Sequence, residues 1–232
     1  MKKSNNSKRI LTIETTSEIC GVSIIEDNCT SFENNINNGF NHSITLFDNI
    51  FNALKKCKLD MKDIDTIKVS NGPGSFTGIR IGVAAAIGLS EMYNTNIEYI
   101  DTLDSLSYNV HDKNDIIISM IDAKNDRVYL ALYFSKGPKK ICNDFIINIR
   151  DLCSELNKNF KSKNICFSLV GSGAINYKNV FNKELKIKYN IFKEYSSLKA
   201  SSLAFVNGEK YQIPNINYLL SSKAERERND KC

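Results

Sequence analysis

Two stretches of the chain, "ILTIETTSEICGVSII" (residues 10–25) and "ISMIDAKNDRVYLALY" (residues 118–133), carry one design at an offset of 108 residues. Ile10 falls on Ile118, Ile13 on Ile121, Glu14 on Asp122, Val22 on Leu130 and Ile24 on Leu132. In each, an alternating apolar run ends in a carboxylate, a polar turn follows, and a second alternating run returns, the pattern of a β-hairpin. A second echo sets "IKVSNGPG" (67–74) beside "FSLVGSGA" (167–174), each a strand pattern running into glycines. Hairpins resemble one another, which is the bland reading. The sharper one is a duplicated α/β fold of two related lobes.

Between the echoes lies "NGPGSFTGIRIGVAAAIGLSEMY" (71–93), glycine-rich at first and then almost free of charge. A phosphate-binding P-loop needs a second glycine five residues after the first, followed by lysine. Counting from Gly72, that position holds Thr77 and no lysine follows. The dinucleotide fingerprint fails at Thr77 too, and Arg80 is the one cation in the stretch. Read as a helix, it places Gly78, Gly82, Ala86 and Ser90 on a single ridge with little side chain. Each interior glycine costs about 1 kcal/mol relative to alanine, so close packing must offset Gly82 and Gly88. Upstream, Phe47, Ile50, Phe51 and Leu54 recur at helical spacing after His42. The ridge could seat the chain's own sheet or a foreign helix. Spacing leaves both open.

The remaining chemistry is sparse. The 232 residues are 42% hydrophobic and 25% charged, an ordinary globular balance, with a net charge of +5. Lysines gather in small groups (55, 56, 58; 136, 139, 140; 158, 161, 163), for which a solvated surface is the default and RNA contact the alternative. Seven cysteines show no CxxC pair and no metal-ligand spacing, which suits buried thiols in a reducing cytoplasm. No signal-peptide pattern opens the chain, and no apolar run approaches the roughly 18 residues of a membrane span. His42 has Thr45 and Leu46 at the positions where a helical metal pair would need its second ligand, and no G-x-S-x-G elbow occurs. Glu14 and Asp122 stand where nucleotide-handling two-lobed folds hold metal-bound phosphate. The residues that follow them, Thr15–Thr16–Ser17 and Ala123–Lys124–Asn125, supply no glycine for close backbone approach.

Taken together with "NHSITLFDNIFNALKKCKLDMKDIDTIKVSNGPGSFTGIRIGVAAAIGL", "VGSGAINY" and "NYLL" (217–220), these segments resemble the bacterial TsaB (YeaZ) family. The resemblance implies an actin-like, two-lobed α/β fold of the sugar kinase/Hsp70/actin type. It places the first lobe at 1–105, the second at 106–205, and a C-terminal segment with a charged tail at 206–232. It also implies a non-catalytic scaffold role in making threonylcarbamoyladenosine beside the anticodon of ANN-decoding tRNAs, with no cofactor, no metal and no catalytic residue of its own. The implied partners are a catalytic TsaD-like subunit and a TsaE-like ATPase, with a homodimer through the same helices as the alternative, tRNA met only through the complex, and no membrane. For the small-residue ridge the resemblance implies a partner interface, expected at Phe76, Arg80, Gly82, Ala86 and Leu89, joined by Phe47 and Phe51. On that expectation Gly82→Leu leaves the fold intact and abolishes association. Two residues depart from the family pattern: Glu14 replaces the usual Asp, and Ile44 replaces Glu or Gln. Two other readings compete: an actin-like ATPase or kinase using Glu14 and Asp122, and a homodimer unconnected with tRNA.

Overall fold

The computed structural model describes residues 7–37, 39, 41–209 and 216–217. The tail from Ser221 lies outside the described residues, as does all of "NYLL" except Asn217. Strands β1 (Arg9–Glu14) and β2 (Ile19–Glu26) form the first hairpin, with Glu14 opposite Gly21. Strand β3 (Cys29–Asn37) folds back on β2, and α1 (His42–Cys57) follows. Strands β4 (Thr66–Ser70) and β5 (Asn96–Ile100), joined by α2 (Phe76–Tyr93), add in parallel on the other side of β1. The first sheet therefore has the order β3-β2-β1-β4-β5.

Helix α3 (Thr102–Tyr108) leads to the second sheet, which copies the first. Strands β6 (Ile116–Lys124) and β7 (Arg127–Phe134) form its hairpin, with Ile118 opposite Leu132. After the two-residue β8 (Lys139–Lys140), β9 (Phe145–Asn148) pairs antiparallel with β7 as β3 does with β2, and α4 (Ile149–Phe160) follows as α1 follows β3. Strand β10 (Cys166–Val170) lies parallel to β6. Short helices α5 (Ser172–Asn176) and α6 (Lys178–Glu184) then lead to β11 (Lys188–Ile191), parallel to β10. Both echoes in the sequence are thus structural equivalences: β1–β2 with β6–β7, and β4 with β10.

Alternation along the strands decides what each sheet face covers. Leu11, Ile13, Ile67 and Val69 meet Leu46, Ile50, Ile79, Val83 and Ala86 of α1 and α2. In the second sheet Ile118, Met120, Phe167 and Leu169 meet Ile149, Leu152, Leu156 and Phe181 of α4 and α6. The facing sides are covered by an exchange of segments. Helix α3, which follows the first sheet, packs Leu103 and Leu106 against Ile117, Ala131 and Val170 of the second. The 3-10 helix Ala200–Phe205, which follows the second sheet, returns to cover β1 and β2 of the first. Lys68, buried on β4, donates to the carbonyls of Ala204 at 2.9 Å and Val206 at 2.7 Å, and so satisfies the open end of that 3-10 helix. A polar cluster completes the join. Lys140 lies 2.7 Å from both Asp104 and Asp144, and the Asn217 amide donates to Asp144 at 2.6 Å.

Candidate interaction face

The geometry begins at the β1–β2 turn, where Glu14, Thr15 and Thr16 are all buried. Thr16 gives both its backbone N–H (2.7 Å) and its hydroxyl (2.5 Å) to Glu14 Oε1. Burial pushes the Glu14 carboxyl above its ordinary range, and these bonds only partly oppose it. The turn is shut in by α2. A Cβ at Gly74 would stand 2.5 Å from the Thr16 carbonyl oxygen, one at Gly78 would overlap the Thr15 carbonyl, and one at Gly82 the Thr15 hydroxyl. That hydroxyl donates to the Gly78 carbonyl at 2.8 Å, and Ser75 N–H donates to Thr16 O at 2.7 Å. Helix α1 grips the same turn. The ring of His42, its first residue, is buried with Nε2 2.9 Å from the Ser17 carbonyl, and burial holds the imidazole below its ordinary pKa.

This arrangement corrects the expected interface. Gly82 and Ala86 face the chain's own β1 and the turn after it, and Leu89 is buried in the same core. The ridge is small so that α2 can lie against this turn, and those three residues offer nothing to a partner. Phe47 and Phe51 stand outside, 44% and 55% exposed, with ring centroids 6.3 Å apart. Arg80 is exposed, with its guanidinium 3.7 Å over the half-buried Phe76 ring.

The residues that do face outward sit one step round α2: Ala84 and Gly88, four apart, with nothing within 4 Å of a Cβ built at Gly88. Met92 continues this side at 74% exposure, and Ile44 on α1 is equally open. Ser43, Leu46 and Phe47 from α1 and Ile81, Ala84 and Ala85 from α2 line a groove of about 330 Å³ between the helices. Sequence reasoning missed Ala84, Gly88 and Met92. A signal was present, since Ala84 and Gly88 form a second small row on the same helix.

The second lobe shows what its matching acid does. Asp122 accepts the backbone N–H of Lys124 (2.8 Å), the Asn176 amide (2.9 Å) and the Tyr177 hydroxyl (3.2 Å). Burial alone would raise its pKa, but these donors and the Lys124 ammonium hold it below the ordinary value. Glycines again permit the close approach. A Cβ at Gly173 would lie 2.9 Å from both Met120 Cβ and Val128 Cγ1. Asp122 is therefore held by the chain's own donors and Glu14 by Thr16 at Oε1, while among the described residues Glu14 Oε2 is buried without a hydrogen-bond partner. Among the described residues no His/Cys/Asp/Glu group could hold a metal ion, and no helix is long and apolar enough to cross a membrane.

Comparison with known proteins agrees with this anatomy. A family model described as "TsaD: tRNA N6-adenosine threonylcarbamoyltransferase" matches residues 38–222. The tRNA threonylcarbamoyladenosine biosynthesis protein TsaB of Bacillus subtilis (strain 168) is 30% identical over 128 residues, 55% of this chain and 56% of that protein. Its namesake in Escherichia coli (strain K12) is 30% identical over 132 residues, 54% of each. The chain thus spans about half the length of the curated relatives it matches. Among solved structures, YeaZ from Pseudomonas aeruginosa aligns with a TM-score of 0.72 at 16% identity, covering 85% of this chain and 89% of that one. The two related sheets give a duplicated α/β fold that this chain shares with that structure. Matched over most of its length by that family model, the chain belongs to the TsaD family, within its TsaB (YeaZ) branch.

Proposed function

We propose that this chain is a non-catalytic subunit of the machinery that builds threonylcarbamoyladenosine next to the anticodon of ANN-decoding tRNAs. It docks on a catalytic TsaD-like subunit through the outer face of α1 and α2, with a TsaE-like ATPase as a further component. The observation that carries the reading is the exposed apolar surface of Ile44, Phe47, Phe51 and Met92 beside the small residues Ala84 and Gly88. Aromatic and methionine side chains around a groove are what the centre of a protein interface is made of. The enclosure of the two acid turns argues in the same direction. A carboxylate that already accepts three donors, or one sealed under α2, is poorly placed to hold a metal-bound nucleotide phosphate.

The test uses the purified chain and the TsaD-like protein of the same cell. Fully burying a phenylalanine side chain is worth about 1.5–3 kcal/mol and Phe51 is 55% exposed, so Phe51→Ala weakens association by about 4–15-fold. The circular dichroism spectrum stays unchanged, because the ring lies outside the core. Undiminished binding by the folded variant rejects the face. ATP hydrolysis by the isolated chain, lost on Glu14→Ala, would favour the kinase-like reading instead. A homodimer that the TsaD-like protein fails to displace would favour self-association.

A further inference from the structure

The positive charge of the chain is not spread evenly. Residues 145–199 hold ten Lys and Arg against four Asp and Glu, a local charge of +6 in a chain whose total is +5. The topology then gathers six of those lysines at one end of the second lobe. Strands β6, β10 and β11 are parallel and start together, with Ile116 opposite Phe167 and Cys166 opposite Lys188. Helices α4 and α6 both finish at that end. It lies opposite the Asp122 turn, where β6 finishes.

Lys158, Lys161, Lys163, Lys183, Lys186 and Lys188 are all exposed there. Two asparagines stitch their loops together. Asn157 Oδ1 accepts the Lys186 backbone N–H at 2.7 Å while its amide donates to Glu184 O at 2.8 Å, and Asn164 Oδ1 accepts Lys188 Nζ at 2.7 Å. The nearby acids are engaged elsewhere. Glu184 pairs with Arg150, Asp115 accepts the Cys166 N–H at 2.8 Å, and Glu155 accepts the Asn159 amide at 3.2 Å. Among the described residues, none of the six ammonium groups forms an ion pair with a carboxylate.

Ordinary surface chemistry explains part of this. Lys158 and Lys183 sit in the last turns of α4 and α6, where the helix dipole favours a cation. Lys161 caps that end of α4 and Lys163 stands 4.9 Å over the Phe160 ring, whereas Lys186 and Lys188 lie beyond α6 and gain nothing of the kind. A surface built only for solubility intersperses the two signs. A cluster of one sign repels itself unless a polyanion meets it.

We propose that this end of the second lobe binds the phosphate backbone of RNA, so that the chain touches tRNA directly as well as through its partners. The inference rests on the reading that the chain serves tRNA modification. Its own support is the local charge and its geometry. Lysine presents a point charge that fits phosphate without reading sequence, and no exposed large apolar side chain lies within 145–199 to enter a bilayer. Neither α1 nor α2 contributes to this end, so RNA and a protein partner can be held at once.

The experiment measures fluorescence anisotropy of a labelled, unmodified tRNA transcript with the full chain from about 50 to about 300 mM KCl. Reversing four charges (K161E, K163E, K186E and K188E together) is expected to weaken binding at least tenfold and to make the salt slope shallower by about 3–4, near one unit per lost phosphate contact. The matching reversal on the first lobe (K8E, K55E, K56E and K62E together) is expected to leave both within about twofold. The second-lobe variant keeps its affinity for the TsaD-like protein. Loss of RNA binding with that affinity intact upholds the inference, and so does the same lysine pattern in a chain that fails to bind the TsaD-like protein, which would sink only the docking reading. Equal loss from both reversals overturns it. So does an unchanged affinity, or a wild-type chain that ignores the transcript and binds phosphatidylserine vesicles.

Discussion

The two sides of α2 are built from the same small residues and do opposite work. On the inner side, Gly78 and Gly82 leave room for the Thr15–Thr16 turn, and Ala86 continues into a fully buried core. On the outer side, Ala84 and Gly88 stand in solvent beside a groove walled by Leu46 and Phe47 of α1. Smallness inside lets the helix lie against a backbone turn. Smallness outside leaves a shallow apolar face between larger neighbours. A glycine repeat therefore does not by itself say which side of a helix meets a stranger. The deciding fact is where the carbonyls of the neighbouring turn point.

Substituting the same residue on each side should break the comparison most sharply. A leucine at Gly82 has its first side-chain carbon already overlapping the Thr15 hydroxyl, with β1 beneath, and neither can retreat without opening the core. We expect Gly82→Leu to cost more than the roughly 3 kcal/mol usual for overpacking and to yield a misfolded or insoluble chain. Ala84→Leu should fold with a native circular dichroism spectrum and a melting temperature within a few degrees of wild type, yet fail to bind the TsaD-like protein. A Gly82→Leu chain that melts like wild type would show that the inner contact is softer than its geometry.

Gly88→Ala is the milder probe of the same contrast. The position is helical with open space around it, so the new methyl group meets no obstacle. Replacing an interior helical glycine with alanine should stabilise the chain by about 0.5–1 kcal/mol, read from chemical denaturation. The same change at Gly78, where the Thr15 carbonyl occupies the space, should destabilise it. Equal effects at the two positions would mean that helix propensity alone decides.

Much of this anatomy was legible beforehand. Both hairpins and the parallel strands β4 and β10 followed from alternation and from the position of one carboxylate in each half. Helix α2 was legible because Ser75 caps its start and the apolar run ends at Asn94, which adopts a left-handed conformation. The stretch between Phe134 and Cys166 was harder. Strand β9 has only four residues, and α4 hides the spacing of Ile149, Leu152, Cys153 and Leu156 among asparagines and charges. The facing of α2 was not legible, because its periodicity offers two small rows and only the fold of a turn about sixty residues upstream chooses between them. Phe47 and Phe51 are expected to face outward although helical spacing sets them on one stripe with Ile50 and Leu54, and both are exposed. The core takes Leu46, Ile50, Ala53 and Leu54, which leaves both rings outside.

The smallest effect we expect separates the two helices by how each holds the β1–β2 turn. Helix α2 uses glycines, the Thr15 hydroxyl and the Ser75–Thr16 backbone bond, none of which titrates, whereas α1 uses the buried ring of His42 against the Ser17 carbonyl. Burial depresses the His42 pKa below 6.5, so between that value and its folded pKa the unfolded chain binds more protons than the folded one. The stability that a neutral His42 contributes is present above pH 6.5 and is lost as the pH falls toward the folded pKa. Glu14 in the same turn acts in the opposite sense. Its pKa is raised, so its penalty grows as pH rises above 4.5 and is relieved on acidification. Acidifying from about pH 7.5 to about pH 5.5 should therefore speed hydrogen exchange at the start of α1 before it affects α2, with only a small drop in melting temperature. His42→Gln, which can still donate to Ser17 O without titrating, should remove the α1 effect and leave the opposing Glu14 slope visible. If α1 and α2 loosen together in the wild type, the turn is held as a single unit and the distinction between a titrating anchor and a steric one has no dynamic consequence.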